Sequence, residues 1–309
     1  MRIVLDGEMP KMTDMTATQT PAFVDGVNID ELITPDVLAE YKERGYWVSP
    51  RLFNAEQIAE MREAQERMWA GEHDSEILPQ YGAQEVEPGS PDVRQQCNAF
   101  WLSDVIRKVT TSPLLGAIGA RFMGVDTVRL WHDQAVYKPG IGPDGKDETA
   151  GNIGWHQDYG HWKSSSTSNM CTAWIALQDT DLQNGGMRTI VGSHKWGLLE
   201  DSNTFGHKDL DGLQARFANQ DISGAWLDEP CIMQAGQVSF HHALTLHGSG
   251  PNLTWEPRMC LISHMMPGDT TYLPGRQHHP NLVFLGPHAQ KGEPFAGPYW
   301  PQMWPKGDE

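Results

Sequence analysis

The stretch that decides the fold is GWHQDYGHW, residues 154–162, which follows a glycine-rich loop and begins within a predicted strand, 153–158. His156 and Asp158 are separated by one residue, so on a strand both side chains point to the same face. An imidazole and a carboxylate on one face provide two ligands of a facial triad, which suits Fe(II) when a second histidine completes it. A His and an acidic residue separated by one position also occur by chance in a chain with 13 His and 40 acidic residues. A metal site is therefore indicated only when a third ligand can be found.

That third ligand must come from another part of the chain, and SFHHALTLHGSGPN, residues 239–252, offers three histidines. His241 and His242 lie in a predicted strand and, being adjacent, point to opposite faces. His247 lies at the start of a turn-rich segment, where the end of a strand can aim a ligand inward. The residues alone leave the choice open, because any one of these histidines can also be a hydrogen-bonded core or surface residue.

Short strands broken by turns surround the motif. No helical pattern alternates with them, which argues against a parallel doubly wound sheet and favours an antiparallel sandwich or jelly roll. The predicted fold class is mainly β with flanking helices. The predicted strands are 127–138, 153–158, 171–178, 188–191, 231–234, 237–242 and 258–266.

The residues before the strands predict helices with clear capping signals. Thr34 and Pro35 begin the first helix, which Gly45 ends, and a strand at 46–48 follows. A second helix begins at Asn54 in a capping-box arrangement. It ends at Gly71, and two shorter helices follow at 103–109 and 114–122.

These elements predict one domain, 27–309, in three parts. They are a helical part at 34–124, a strand-rich core at about 127–267, and an irregular C-terminal wrap at 268–309. Residues 1–26 are predicted to be a mobile arm, and the charged segment 72–92 is a candidate lid.

Composition restricts the partners and the compartment. The chain has 23 basic and 40 acidic residues, a net charge of −17, which repels nucleic acids and anionic lipids, although a local basic pocket can still bind a small dianion. We therefore expect a small-molecule substrate and neither nucleic acid nor a membrane as partner. The four cysteines form no C-x-x-C pair, and no signal peptide pattern is visible, so we expect separate thiols and a cytoplasmic protein. No feature of the sequence indicates an oligomeric state.

Taken together, the motifs resemble the phytanoyl-CoA dioxygenase (PhyH) family of Fe(II)/2-oxoglutarate-dependent oxygenases, over about residues 32–267. HQD at 156–158, LHGSGPN at 246–252 and Arg258 match the family in order and spacing. NGGMRTIVGSHKWG at 184–197 and GYWVSPRLFN at 45–54 are also typical of it. The resemblance implies a double-stranded β-helix (jelly-roll, cupin-like) core and the cofactors Fe(II), 2-oxoglutarate and O2.

The resemblance also implies the roles of individual residues. Arg258 would bind the distal carboxylate of 2-oxoglutarate, and its guanidinium fork matches a carboxylate with two parallel hydrogen bonds. Ser249 would donate a hydroxyl to the same carboxylate, and Trp174 and Gln134 would line the co-substrate site. The implied metal ligands are His156, Asp158 and His247.

Strand parity extends the prediction to the substrate. If Arg258 and Gln134 point inward, then His264 and His132 do so too. Tyr159, Trp162 and Lys138 are further candidates. Each candidate has a simpler interpretation. Lys138 can be a surface lysine at a strand end, His264 can be a hydrogen-bonded residue of the barrel, and the two aromatic side chains can serve packing alone. The expected substrate is a small metabolite or natural-product intermediate.

The expected reaction is hydroxylation with release of succinate and CO2. Because Asp158 is present, halogenation, which in relatives accompanies a small residue at this position, is not expected. Desaturation, epoxidation or ring formation on the same iron is the first alternative. A non-catalytic metabolite-binding jelly roll is the second, and a zinc hydrolase, which the arginine clamp disfavours, is the third.

Overall fold

The computed structural model describes residues 27–75, 90–145, 149–275 and 279–305. Within them, eleven strands form two antiparallel sheets and six α-helices pack around these sheets. The predicted arm, 1–26, and most of the predicted lid, 72–92, lie outside the described residues. No helix among those described combines the length and apolar character needed to cross a bilayer.

The helices begin and end where capping chemistry predicts. The Thr34 side chain accepts a hydrogen bond from the N–H of Val37, and Asn54 and Gln57 complete a reciprocal capping box. Gly45 adopts the left-handed conformation, φ 80°, after the first predicted helix. The helices are α1 Ile29–Leu32, α2 Pro35–Arg44, α3 Ala55–Trp69, α4 Asp104–Thr110, α5 Pro113–Met123 and α6 Leu210–Ala218.

The two sheets form the predicted jelly roll, a double-stranded β-helix. The larger sheet has the order β1-β8-β5-β10-β3-β11, with β2 paired to β3, and the smaller sheet has the order β4-β9-β6-β7. The strands are β1 Tyr46–Val48, β2 Arg94–Cys97, β3 Val128–Lys138, β4 Ile153–His156, β5 Cys171–Ala176, β6 Met187–Ile190, β7 Asp228–Pro230, β8 Val238–His242, β9 His247–Ser249, β10 Arg258–Pro267 and β11 Gln302–Trp304.

Strand register brings the candidate site residues together. In the larger sheet, β10 pairs with β3 so that Arg258 lies opposite Lys138 and His264 opposite His132. In the smaller sheet, His156 of β4 lies opposite His247 of β9. The helices α2 to α5 pack on the outer face of the larger sheet around Phe53, Phe100 and Phe240, among others, and this core supports the strands that carry the site.

The C-terminal segment is ordered wherever it is described. Phe295 and Trp300 are buried against Trp131 and Trp162, as expected for a wrap that removes its aromatic side chains from water. The wrap is less irregular than predicted, because it contains a three-ten helix at Pro280–Leu285 and strand β11.

Two predicted strands were wrong in their bounds. The strand expected at 153–158 ends at His156, and Asp158 begins a three-ten turn, because the buried Gln157 side chain bends the chain. Its amide donates to the carbonyl oxygens of Gly197 and Leu244 and accepts from the N–H of Leu199. The strand expected at 231–234 forms earlier, as β7, because β6 pairs with residues 228–230.

A glycine fixes the approach of β4 to the segment behind it. A Cβ at Gly154 would clash with two backbone carbonyl oxygens, at 2.2 Å from that of Thr204 and 2.5 Å from that of His207. We therefore expect Gly154→Ala to destabilise the protein by about 1–3 kcal/mol through overpacking and to lower metal affinity, because His156 must move. Urea unfolding and metal titration measure the two effects. Gly206→Ala is the control, since a Cβ there meets no atom within 4 Å; equal stability of the two variants would contradict the prediction.

Candidate active site

Three buried side chains converge between the two sheets. The ligand atoms of His156, Asp158 and His247 all lie within 4.8 Å of one another. The Nε2 atoms of His156 and His247 lie 3.6 and 3.7 Å from Asp158 Oδ1. Of the described residues, these alone form a cluster of three or more His, Cys, Asp or Glu side chains that can hold a metal ion.

The protonation of the two histidines fits a metal. Nδ1 of His156 lies 2.8 Å from the carbonyl oxygen of Gly154, and Nδ1 of His247 lies 2.9 Å from that of Thr245. A carbonyl only accepts, so each Nδ1 carries the proton and each Nε2 presents its lone pair to the centre of the cluster. Metal-ligating histidines are held in this way, and two imidazoles with one carboxylate suit Fe(II).

The second oxygen of Asp158 is held from the opposite side. Oδ2 accepts hydrogen bonds from Thr172 Oγ1 at 2.7 Å and from His241 Nε2 at 3.2 Å. Burial acts to raise the pKa of Asp158, but His247, His156 and His241 together hold it well below its usual value. The side chain is therefore an oriented carboxylate whose Oδ1 faces the two histidines.

The three candidate histidines of residues 239–252 have different partners in the structure. His247 joins the cluster, whereas His241 bonds to the outer oxygen of Asp158. His242 points away, and its Nδ1 accepts the N–H of Leu244. The role of His241 was not predicted, since nothing local to its sequence indicates a carboxylate partner 83 residues away.

Beside the cluster lies a pair of buried cations. Arg258 is 2% exposed and Lys138 0% exposed, and no carboxylate of the described chain forms an ion pair with either. Burial lowers the pKa of Arg258, and burial followed by the charge of Arg258 lowers the pKa of Lys138 well below its usual value. Arg258 Nε has no hydrogen-bond partner among the described residues, while Lys138 Nζ donates to Ser249 Oγ and to the carbonyl oxygen of Gly250, each at 2.6 Å.

This end of the site fits a dicarboxylate. An anion bound beside Arg258 would compensate the burial of its charge. The Trp174 ring lies 5.1 Å from the guanidinium carbon of Arg258, and Gln134 lines the same cavity. Lys138, predicted for the substrate pocket or the surface, instead lies beside the residues predicted for 2-oxoglutarate.

The cluster and Arg258 open into one cavity of about 260 Å³. Three of the residues predicted for the substrate, His132, Trp162 and His264, line it. Tyr159 does not, since its ring packs with the C-terminal aromatic residues and its hydroxyl donates to the carbonyl of Ser165. The cavity also contains residues that were not in the predicted pocket, among them Gln95, Cys97, His161, Phe205 and His279.

Comparisons with known proteins identify a family. The sequence profile of the phytanoyl-CoA dioxygenase (PhyH) family matches residues 41–260. A probable α-ketoglutarate-dependent hypophosphite dioxygenase of Stutzerimonas stutzeri is 27% identical over 73% of this chain and 76% of its own length. An ectoine dioxygenase of Bordetella parapertussis is 24% identical over 78% of each chain.

A solved structure shares the fold. The non-heme α-ketoglutarate-dependent carbocyclase SnoK of nogalamycin biosynthesis superposes with a TM-score of 0.67 at 24% identity. The superposition covers 90% of this chain and 99% of the other.

Thr172 provides a test of the outer side of the cluster. We expect Thr172→Val, which keeps the shape but removes the hydroxyl that orients Asp158, to weaken metal binding about 10–100-fold. Titration of the metal-free protein with Fe(II) or Co(II) under anaerobic conditions measures the dissociation constant. Thr189→Val is the matched control, because the buried Thr189 hydroxyl has no hydrogen-bond partner in the described structure. The prediction fails if both variants bind metal like the parent protein.

Proposed function

The chain belongs to the phytanoyl-CoA dioxygenase family, and from this premise we propose that it hydroxylates an unactivated C–H bond of a small metabolite or natural-product intermediate. It is a 2-oxoglutarate-dependent dioxygenase whose cofactors are Fe(II), 2-oxoglutarate and O2. The observation that carries the proposal is the cavity itself, whose lining brings two histidine lone pairs and a carboxylate together with the buried Arg258. A metabolite-binding jelly roll has no need of this combination.

In this proposal His156, Asp158 and His247 would hold the iron, which would activate O2, the oxidant of both 2-oxoglutarate and the substrate. Their backbone hydrogen bonds keep each imidazole in the tautomer that ligates. Thr172 and His241 hold Asp158 by its outer oxygen, so the carboxylate keeps one orientation when the metal binds.

In the same proposal Arg258 and Ser249 bind the distal carboxylate of 2-oxoglutarate, and Lys138 donates to the Ser249 hydroxyl and to the carbonyl oxygen of Gly250 from behind. Trp174 and Gln134 bound the same space and orient the co-substrate. Because both cations are buried, the interaction takes place away from bulk water, where charge–charge attraction is strongest.

His132, Trp162 and His264 line the substrate end of the cavity in this proposal. The relatives are named for hypophosphite and ectoine, both small molecules, and a small polar substrate also fits a cavity of about 260 Å³. An acyl-CoA ester is less suitable, since the chain carries a net charge of −17 that repels polyanions.

Desaturation, epoxidation and ring formation use the same cofactors and differ in the product. Hydroxylation adds one oxygen, about +16 mass units, whereas desaturation removes two hydrogens, about −2. We expect a screen for substrate-dependent succinate release, followed by mass spectrometry, to find the oxygen-added product.

Two further points belong to the proposal. Residues 27–309 act as one dioxygenase domain, because the C-terminal wrap packs against β3 and the cavity wall. The protein acts in the cytoplasm, which the four free cysteines favour.

The metal assignment is tested by substitution. We expect His156→Ala to abolish iron-dependent succinate release, because two ligands alone do not hold Fe(II) in a defined geometry. The anaerobic absorption band of Fe(II) with 2-oxoglutarate should be lost as well, while circular dichroism remains that of a folded protein. His242→Ala is the control, because it removes a histidine that lies outside the cluster, and the absorption band should persist in this variant. An unchanged band in His156→Ala would overturn the assignment.

The co-substrate assignment has its own test. We expect Arg258→Gln to weaken 2-oxoglutarate binding by about 2–5 kcal/mol, since the carboxylate loses its buried charged partner. Anaerobic titration of the same absorption band measures the affinity. Arg121→Gln is the control, because Arg121 forms a surface ion pair with Asp30 far from the cavity. Equal affinities of the two variants would argue against this role.

A further inference from the structure

One short segment forms hydrogen bonds with both parts of the chain that carry the candidate metal ligands. Residues 193–199 follow β6 and begin with a three-ten helix, Ser193–Trp196. The start of this segment bonds to the turn that precedes His247, and its end bonds to the side chain of Gln157, between the other two ligands. No residue of the segment lines the cavity in the described structure, so any effect on a metal is exerted through other residues.

Ser193 holds the peptide group that orients His247. The peptide unit between residues 245 and 246 offers its carbonyl oxygen to His247 Nδ1 at 2.9 Å and its N–H to Ser193 Oγ at 2.8 Å. The Ser193 hydroxyl gives its own proton to the carbonyl oxygen of Ile190, at 2.6 Å, and therefore only accepts from this N–H. Because Ser193 is fully buried, bulk water does not compete for the bond. Ser193 thus restricts rotation of the peptide group that sets the His247 ring.

Gln157 holds the other two ligands from the same segment. Its amide nitrogen donates to the carbonyl oxygens of Gly197, at 2.8 Å, and Leu244, at 2.7 Å. Its amide oxygen accepts the N–H of Leu199 at 2.8 Å. Both amide protons are thereby used, and the side chain is fully buried. These bonds fix the metal-binding motif that contains Gln157 relative to the 193–199 segment.

The backbone at Gly197 supports this arrangement. Its φ of 75° and ψ of −163° lie in a region that is essentially restricted to glycine. A Cβ there would meet no atom within 4 Å, so the backbone conformation and not crowding requires the glycine. In this conformation the carbonyl oxygen of Gly197 accepts from Gln157.

We propose that Ser193 and Gln157 are positioning residues for the metal, which act together through the 193–199 segment. Ser193 fixes His247, and Gln157 fixes the motif that supplies the other two ligands. The segment thereby sets the separation of ligands that come from distant parts of the chain. The proposal rests on the function proposed above, since it requires that His156, Asp158 and His247 hold the ion. Neither positioning side chain lines the cavity, so neither is a catalytic residue.

Two substitutions test the proposal, each with a matched control in the same chain. Gln157→Met keeps the length of the side chain and removes its hydrogen bonds. Gln65→Met is its control, because Gln65 is also fully buried and its amide donates to a backbone carbonyl oxygen of β3. Ser193→Ala is compared with Ser49→Ala. The buried Ser49 hydroxyl likewise donates to a carbonyl oxygen and accepts a backbone N–H, but at the opposite end of β8 from His241.

The metal-free full chain and its variants are titrated with Co(II), whose visible absorption reports the ligand geometry around the bound ion. We expect Gln157→Met and Ser193→Ala to weaken Co(II) binding about 10–100-fold. The absorption spectrum of bound Co(II) should change as well, because the ligands no longer meet at the same angles. Gln65→Met and Ser49→Ala should lose stability in urea but bind Co(II) with the affinity and spectrum of the parent protein.

A merely structural role predicts a different result. Gln157→Met would then lose stability as Gln65→Met does, while its folded molecules would bind Co(II) with the parent's affinity and spectrum, and this outcome would overturn the proposal. Equally weak binding in the controls would also contradict it, since the loss of any buried hydrogen bond would then account for the effect. An effect confined to one of the two folded variants would refute their joint action. If Gln157→Met does not fold, the comparison of Ser193→Ala with Ser49→Ala decides.

The two proposals fail separately. A parent protein that binds no Co(II), or a His156→Ala variant that binds it with the parent's affinity, would refute the metal site of the proposed function. Normal binding by the parent protein together with unchanged binding by Gln157→Met and Ser193→Ala would refute only the role of the 193–199 segment.

Discussion

The site depends on the pairing of two short strands. β4 and β9 place His156 directly opposite His247, although the two residues are 91 positions apart in the sequence. Their imidazoles therefore converge on the candidate metal position. A shift of one residue in this pairing would turn one ring to the opposite face of the sheet and separate the ligand side chains. Close packing of Gly154 against the backbone at Thr204 and His207, and of Gly248 against β4, restricts the register.

Local chemistry predicted much of the fold. The capped helices and the hydrophobic strands appear nearly where the sequence placed them, because Thr34, Asn54 and Gly45 act within a few residues of their own position. Helices α1 and α6 were missed although Asn28 and Asp209 cap them locally, whereas the missed strands are those that tertiary pairing creates. β2 exists because residues 94–97 pair with β3, and β9 is only three residues long. The turn at Asp158 follows from Gln157, whose bonding partners lie 40 and more residues away.

The candidate site likewise contains residues that the sequence predicted and residues that it did not. The resemblance to the family nominated His247 and Arg258, and parity along β3 and β10 nominated His132 and His264. The partners that orient these groups were not predictable. Thr172 reaches both Asp158 and His264 only because β5 lies next to β10 in the sheet. Lys138 was ambiguous for the opposite reason: a lysine at the end of a strand is usually exposed, and only the fold shows it buried beside Arg258.

The burial of Arg258 and Lys138 has a consequence for the stability of the folded protein. Folding takes both side chains out of water without a countercharge in the described chain, so an anion bound beside them, such as the co-substrate proposed above, would stabilise the folded state. A ligand that binds only the folded state stabilises it by about 2.7 kcal/mol when present at a hundred times its dissociation constant. With the co-substrate bound at the proposed site, the resistance of this enzyme to unfolding would therefore rise with the co-substrate concentration.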